Sequence, residues 1–234
     1  MTSTTENTKI WYEKYYQKRG VNIDNIINNK GVLFQVFAHD KCLINCLSKI
    51  DLNQSSKVLD VGCGSGTSLL DFVKYGFNQN NLYGVDINDE RIDFGKLNYP
   101  LLNLSIQDAA KLSFEENYFD FIFESTMFVQ ITDNDMSKKI ANEMIRVTKK
   151  NGYIFILDWR YGKFRNSNYL ACDRKRVKDI FRVGEDTEIV SVLPAAIVPP
   201  VGRFLSSHLS PFYFVVSKVF PFLVGQVGYL LQKR

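Results

Sequence analysis

Cysteine is scarce in this chain of 234 residues, and its four copies show no regular spacing: Cys42, Cys46, Cys63 and Cys172. A disulfide-dense mini-protein is therefore excluded. The N-terminal residues also lack an apolar stretch of the kind that a secretory signal needs. Both absences favour a reduced, cytoplasmic protein.

Metal-ligand pairs are equally sparse. Cys42 and Cys46 lie four residues apart on one face of a predicted helix, with His39 and Asp40 close by. The chain has no second ligand pair with the spacing of a zinc site. We therefore expect the two cysteines to pack a helix face as small apolar residues, and we predict no metal site.

A strong excess of either charge is absent, because the chain has 29 Lys and Arg residues and 25 Asp and Glu residues, which gives a net charge of +4. No basic stripe stands out, which argues against a nucleic-acid partner. Hydrophobic residues make up 45% of the chain and charged residues 23%. This balance excludes a disordered chain and supports one domain with a sizeable core.

The C-terminal segment lacks acidic residues, since the last one is Glu188, and it holds five of the six prolines. Arg203 and Lys218 divide it into uncharged runs of fourteen residues. A membrane-spanning helix needs about 20 apolar residues, so we predict none here. Three interpretations stay open: the segment packs on the domain, forms an apolar acceptor pocket, or rests on a membrane surface.

The remaining sequence alternates between helical and strand-like patterns. Helices are predicted at 5–18, 22–29, 34–50, 68–75, from about 89, and at 135–149 and 168–182. Strands are predicted at 57–61, 82–86, 102–106, 118–123, 153–157 and 187–192. This alternation indicates βαβ units and a mainly parallel sheet with helices on both faces.

The most informative segment, residues 58–66, reads as a buried strand followed by three glycines and a helix. In the dinucleotide fingerprint G-x-G-x-x-G the third glycine would stand at Thr67, but here it comes one residue early, at Gly66. Asp60 precedes the glycines. A carboxylate there would oppose a pyrophosphate but suits an amino group, so the loop fits S-adenosylmethionine (SAM) better than NAD.

Two further carboxylates follow strands in order. Asp86 ends the second strand, where a carboxylate can accept hydrogen bonds from ribose hydroxyls. The alternative is a helix cap, a role that Asp89 can fill equally well. Asp108 follows the third strand and can accept a hydrogen bond from an adenine amino group. Loop, ribose anchor and adenine anchor together predict a SAM site at the carboxyl edge of the sheet.

With these motifs, over about residues 55–160, the chain resembles the class I SAM-dependent methyltransferases. The resemblance rests on residues 58–66, 82–86, 107–109, 118–124 and 146–153. It implies a single Rossmann-like domain over residues 1–234 with a seven-stranded, mainly parallel sheet and an antiparallel last strand at 226–232. It also implies a helical N-terminal cap at 1–50 and an apolar insertion at 194–222 on the acceptor side.

The resemblance implies that the protein binds SAM and releases S-adenosylhomocysteine, and it indicates which residues would contact each part of SAM. The methionine end would meet the loop residues Asp60, Gly62, Cys63 and Gly64. Asp86 would hold the ribose, while Ile87, Asp108 and Ala109 would surround the adenine. Glu124 and Ser125 would lie beside the transferred methyl group. Tyr16 of the N-terminal helix would close the pocket, unless the aromatic stripe of that helix only anchors it to the core.

Acceptor-side residues are expected in the loops after strands four and five. Methyl transfer is an in-line displacement, so catalysis can come from positioning, with a general base when the acceptor is a hydroxyl. Asp158 is the candidate base, Gln130 lines the first loop, and Arg160 could hold an anionic or hydroxyl-rich acceptor. The alternative is that Asp158 and Arg160 belong to a salt-bridged loop.

A weaker likeness, to methyltransferases of bacterial surface-glycan biosynthesis, suggests a sugar or other small-molecule hydroxyl as acceptor. This likeness rests on residues 125–131, residues 158–162 and the apolar, basic C-terminal segment. We expect a cytoplasmic protein, and that segment leaves peripheral contact with the inner face of the membrane open. Two alternatives remain: an N-methyltransferase for a small metabolite, and a SAM-binding protein without catalysis that acts through its apolar C-terminal segment. The oligomeric state does not follow from the sequence.

Overall fold

The computed structural model describes residues 27–162 and 168–234. The predicted helix 5–18, with Tyr16, and most of the predicted helix 22–29 lie outside the described residues. Within them the strands are β1 Val58–Val61, β2 Leu82–Asp86, β3 Asn103–Ile106, β4 Phe119–Ser125, β5 Thr148–Trp159, β6 Thr187–Pro194 and β7 Gln226–Lys233. The helices are α1 Lys30–Leu47, α2 Thr67–Lys74, α3 Asp89–Asn98, α4 Asn134–Val147, α5 Arg174–Ile180, α6 Pro199–His208 and α7 Tyr213–Val219.

All seven strands form one sheet in the order β3-β2-β1-β4-β5-β7-β6. The first five strands pair in parallel, and β7 runs antiparallel to both β5 and β6. The predicted sheet is therefore confirmed, including its antiparallel last strand. The strand order reverses between β1 and β4, and in open α/β sheets ligands bind in the crevice at such a switch point.

Three helix predictions differ from the structure by more than two residues at one end. Residues 27–29, the described end of the helix predicted at 22–29, are not helical. The helix predicted at 34–50 begins earlier, at Lys30, because Asn29 caps it by accepting the Val32 N–H at 3.2 Å. The helix predicted at 168–182 is restricted to Arg174–Ile180. Residues 168–173 have no regular secondary structure, and Leu170 N–H and Cys172 N–H donate to the Val129 and Trp159 carbonyls. Periodicity alone did not reveal these long-range backbone bonds.

The core lies on both faces of the sheet. One face buries Phe121 and Phe155 against α1, where Cys42 and Cys46 are fully buried free thiols, as expected for packing residues. The opposite face buries Ile122 and other aliphatic side chains against α4 and α5. Strand side chains alternate between the faces, so both sides of a central strand must be apolar.

Helices α6 and α7 come between β6 and β7 along the chain, and they pack on the N-terminal half of α1. Ala38, Leu205 and Tyr213 form the buried centre of this contact, with Trp159 of β5 beside them. The Tyr213 hydroxyl accepts a hydrogen bond from the Ile197 N–H at 3.2 Å. Among the described residues, no helix is long and apolar enough to cross a membrane.

Candidate active site

The loop between β1 and α2 follows a path that requires glycine. Gly62, Gly64 and Gly66 all have positive φ angles, of 77°, 56° and 80°. The N–H groups of Gly62 and Cys63 donate to the Val85 carbonyl, which fixes the loop on β2. Side chains at these angles would be strained. The spacing of the three glycines is thus the spacing of a backbone turn at the carboxyl edge of β1.

Close packing adds a second constraint on this loop. A Cβ atom at Gly64 would overlap the guanidinium group of Arg91, which lies over the loop from α3. A Cβ atom at Gly95 would lie 2.5 Å from the Ser65 carbonyl oxygen. The loop is therefore held between β2 and α3. No sequence pattern singled out Arg91, although its place in the first turn of α3, five residues after Asp86, puts it beside the glycines.

Asp86 lies at the end of β2 and organises the neighbouring backbone. Its Oδ2 atom accepts the Gly64 N–H at 2.7 Å, and its Oδ1 atom accepts the Asn88 N–H at 2.8 Å. Each carboxylate oxygen has two lone pairs, so both retain capacity for ligand hydroxyls. The capping role that competed for Asp86 belongs to Asn88, whose side chain accepts the Arg91 N–H. These contacts fit a ribose anchor next to the half-buried Ile87.

Asp60 is buried at the carboxyl end of β1, at 2% exposure. Within the described part of the chain, its Oδ2 atom has no hydrogen-bond partner. Burial and the charge of Asp86 together raise the pKa of Asp60 to about 8, against the lowering effect of Arg91. A buried carboxylate without a partner is costly. A cationic ligand group such as an α-ammonium would supply that partner, so the site fits the methionine end of SAM.

The other expected cofactor residues occupy the same edge of the sheet. Asp108 is exposed after β3, and its Oδ1 atom accepts the Ala110 N–H at 2.9 Å. Ala109 is half-buried against the core. The Cys63 thiol is buried beside Gly84 of β2, where it packs in the core. The strand ends therefore bring the expected loop, ribose and adenine residues to one crevice.

Glu124 and Asp158 form a buried acidic pair at the ends of β4 and β5, each with 0% exposure. Asp158 Oδ2 accepts the Val129 N–H, and its Oδ1 accepts the Trp159 N–H, both at 2.7 Å. Burial raises the pKa of Asp158 to about 7, against the lowering effect of these N–H groups. Burial and the charge of Asp158 raise the pKa of Glu124 well above its ordinary value.

Arg176 of α5 completes this buried network, and the sequence did not single it out. Its guanidinium group donates to the carbonyls of Phe128, Leu170 and Ile131 and to Ser137. Glu124 Oε2 accepts the Met127 N–H from the same loop at 2.9 Å. The loop after β4, residues 127–131, is thus held from beneath by three buried ionisable side chains. This geometry makes Asp158 a support for that loop, with both oxygens engaged by backbone.

Gln130 and Arg160 lie in the loops where the sequence placed them, with specific partners. Gln130 Nε2 donates to the Thr126 carbonyl at 2.6 Å, and Arg160 Nη2 donates to the Pro221 carbonyl. Among the described residues, Gln130 Oε1 and Arg160 Nε are buried without a hydrogen-bond partner.

One histidine lies near this edge. His39 Nε2 and Gln226 Oε1 are hydrogen-bonded, and Gln226 lies opposite Trp159 in the β5–β7 ladder. Burial lowers the pKa of His39. The sequence drew attention to His39 only as a neighbour of two cysteines, because nothing local indicates contact with a residue 187 positions away. Tyr16 lies outside the described residues, and no metal-ligand cluster occurs within them.

A known protein family matches this same core. Residues 58–152 match a family model described as "Methyltransferase domain". The chain is 30% identical over 112 residues to a demethylmenaquinone methyltransferase of Streptomyces avermitilis, covering 48% of this chain and 46% of that protein. It is 29% identical over 117 residues to a ubiquinone/menaquinone biosynthesis C-methyltransferase of Chromobacterium violaceum. The chain spans about half the length of the curated relatives it matches.

Solved structures share the fold over most of the chain. The PH0226 protein of Pyrococcus horikoshii superposes with a TM-score of 0.62 at 15% identity, covering 85% of this chain and 91% of that one. A geranyl diphosphate C-methyltransferase of Streptomyces coelicolor, solved with S-adenosyl-L-homocysteine, has a TM-score of 0.62 at 14% identity. That match covers 84% of this chain and 77% of the other. At these identities the likeness extends to the fold alone.

Proposed function

Because residues 58–152 match a family model described as "Methyltransferase domain", we propose that this protein is a class I SAM-dependent methyltransferase that transfers the methyl group of SAM to a small-molecule acceptor. The observation that carries the proposal is Asp60, a buried carboxylate with a partnerless oxygen at the head of the glycine loop. An NAD-dependent enzyme would need to place a pyrophosphate at this loop, against that carboxylate. SAM instead presents an ammonium group.

The residues of the crevice divide the task of holding reactants. Asp60 pairs with the ammonium group, and Asp86 accepts from the ribose hydroxyls while it fixes the Gly64 N–H. Bound SAM supplies a methyl group that is already activated as part of a sulfonium. The protein's part is therefore to hold the acceptor in line and close, a contribution that effective molarities show to be large. The braced loop 127–131 provides one wall for that alignment.

For the acceptor, we propose an apolar ring compound that is methylated at carbon or oxygen. The loops at the acceptor side offer single polar atoms, Gln130 Oε1 and Arg160 Nε, and the adjoining insertion is rich in Phe and Val. Curated relatives named for quinone C-methylation support this class. A sugar hydroxyl, the acceptor expected from the sequence, has less support, because Asp158, the candidate base, is fully buried and holds the loop after β4 through the Val129 N–H.

Calorimetric titration of the purified protein with SAM and with NADH tests the first step. We expect SAM to bind and NADH to give no heat. Turnover is then measured by mass spectrometry with demethylated quinols, nucleotide sugars and lipid-linked glycans. A methylated quinol supports the proposed acceptor, whereas a methylated sugar overturns it. SAM binding without any methylated product across a broad acceptor panel favours the non-catalytic alternative, and absence of SAM binding contradicts the whole proposal.

A further inference from the structure

The insertion between β6 and β7 exposes a large apolar surface. Seven large apolar side chains within residues 204–222 are between 43% and 65% exposed: Phe204, Leu209, Phe212, Val215, Val219, Phe220 and Phe222. We name these seven residues the insertion surface. Monomeric proteins in water rarely expose so many large apolar side chains together without a binding partner. We therefore expect a binding partner to cover the insertion surface.

The charged side chains of the insertion are basic. Arg203 and Lys218 are exposed on α6 and α7, and Lys41 Nζ lies 4.6 Å from the centre of the Phe214 ring at their base. The chain has no acidic residue after Glu188. A partner that covers the insertion surface therefore gains from apolar contact at its centre and from negative charge around it.

These two properties together distinguish among occupants. In a two-fold dimer the same patch meets itself, so Arg203 and Lys218 of both copies would approach each other without acidic residues of the segment to offset them. Short amphipathic helices with aromatic and aliphatic side chains on one face and basic residues beside them are suited to the headgroup region of a bilayer. We propose that the insertion surface docks onto an anionic lipid membrane.

The insertion surface is directly connected to the acceptor side of the crevice. The Tyr161 hydroxyl donates to the Phe222 carbonyl at 3.0 Å, and Arg160 Nη2 donates to the Pro221 carbonyl. Arg160 N–H also donates to the Gly225 carbonyl at 2.9 Å. Docking would thus bring the loop after β5 against the bilayer. This step rests on the proposed function: an apolar acceptor dissolved in the membrane would reach the site without crossing water.

Vesicle flotation tests the docking with two lipid compositions, phosphatidylcholine alone and phosphatidylcholine mixed with phosphatidylglycerol. We expect the full chain to float with the anionic vesicles and to be released by high salt. The double variant Phe212→Ser/Phe222→Ser should lose at least about tenfold in partition coefficient, because it removes two of the most exposed apolar groups. Lys218→Gln should lose about fivefold on anionic vesicles only.

Matched controls separate docking from loss of folding. Leu97 and Leu101 are 81% and 64% exposed near β3, at the sheet edge opposite to β6 and β7. The variant Leu97→Ser/Leu101→Ser should therefore float like the wild type. All variants should keep the wild-type melting temperature and SAM affinity, which makes failure of the proposed function visible independently. Light scattering in the same buffer reports self-association.

Three results would overturn the docking proposal. The first is absence of flotation with anionic vesicles. The second is flotation that the Phe212→Ser/Phe222→Ser variant leaves unchanged. The third is a stable dimer that this variant dissociates, since a second copy of the chain would then be the occupant.

Discussion

The pH dependence of SAM affinity is the sharpest test of Asp60 as the partner of the ligand ammonium. Burial raises the pKa of Asp60 to about 8, so near pH 7 only about a tenth of the unliganded molecules carry the charged form. Binding that requires the charged form has a dissociation constant divided by this fraction. Affinity should therefore rise about tenfold per pH unit below about pH 7 and level off near pH 8.

Isothermal titration at several pH values, in buffers of different ionisation enthalpy, measures both affinity and proton release. Near pH 7 we expect about one proton to leave the protein for each SAM bound. Above about pH 8 the ligand ammonium itself deprotonates, so the affinity should decline again. The Asp60→Asn variant should bind more weakly, lose the rise with pH and release no proton. Asp108→Asn, which changes an exposed carboxylate after β3, should keep the wild-type slope.

Stability of the unliganded protein supplies the linked observation. Because folding raises the pKa of Asp60, the folded state binds more protons than the unfolded state between about pH 4 and pH 8. The free energy of unfolding should then fall as the pH rises through this window. Asp60→Asn should remove that loss and stabilise the unliganded protein by about 1–3 kcal/mol near pH 8. An affinity that is flat below pH 7, or an Asn variant that keeps the slope, would refute the reasoning.

Three further predictions concern the loops around the crevice. Asp158→Asn should lower the free energy of unfolding, measured in urea, by about 2–3 kcal/mol, because the single oxygen of an amide cannot accept both backbone N–H groups. Glu124→Gln should change this free energy by less than about 1 kcal/mol, because a protonated Glu124 resembles glutamine. Equal costs would contradict this. Arg176→Met should lower the free energy of unfolding by about 3 kcal/mol or more, because it leaves three carbonyl groups without their hydrogen-bond donor. A variant with wild-type stability would contradict the role of Arg176 in holding the loop after β4. Gly64→Ala should abolish SAM binding in the calorimeter, whereas Gly76→Ala, also at positive φ but with no atom nearby, should only destabilise the fold by about 1 kcal/mol.

Local sequence patterns were sufficient to predict the strands and to place the predicted SAM-binding residues at the carboxyl edge of the sheet. A β-branched strand, a glycine turn and a helix follow directly from residues 58–74, because each element is determined by neighbours in the chain. Asp60, Asp86 and Asp108 could be ordered on one edge, since parallel strands bring their carboxyl ends together. Helix limits were less certain. Residues 168–173 have a helical composition, yet Leu170 and Cys172 bond to backbone far away in the chain.

The candidate site beyond the cofactor edge depended on long-range contacts. Arg176 meets the loop after β4 across 48 residues, and His39 meets Gln226 across 187 residues. No local pattern encodes such pairs. Asp158 could be placed after β5 from the sequence, whereas the hydrogen bonds that it accepts from the Val129 and Trp159 N–H groups follow only from the fold.

The sequence by itself therefore determined the sheet, the glycine loop and the charge of the C-terminal segment, since these follow from residue type and short-range geometry. Tertiary structure decided which ionisable groups keep a partnerless atom. Burial and hydrogen bonding depend on residues distant in the chain, and they separate Asp60, with an oxygen left for a ligand, from Asp158, whose oxygens support a loop. Tertiary structure likewise decided which apolar residues of the insertion pack on α1 and which seven remain exposed.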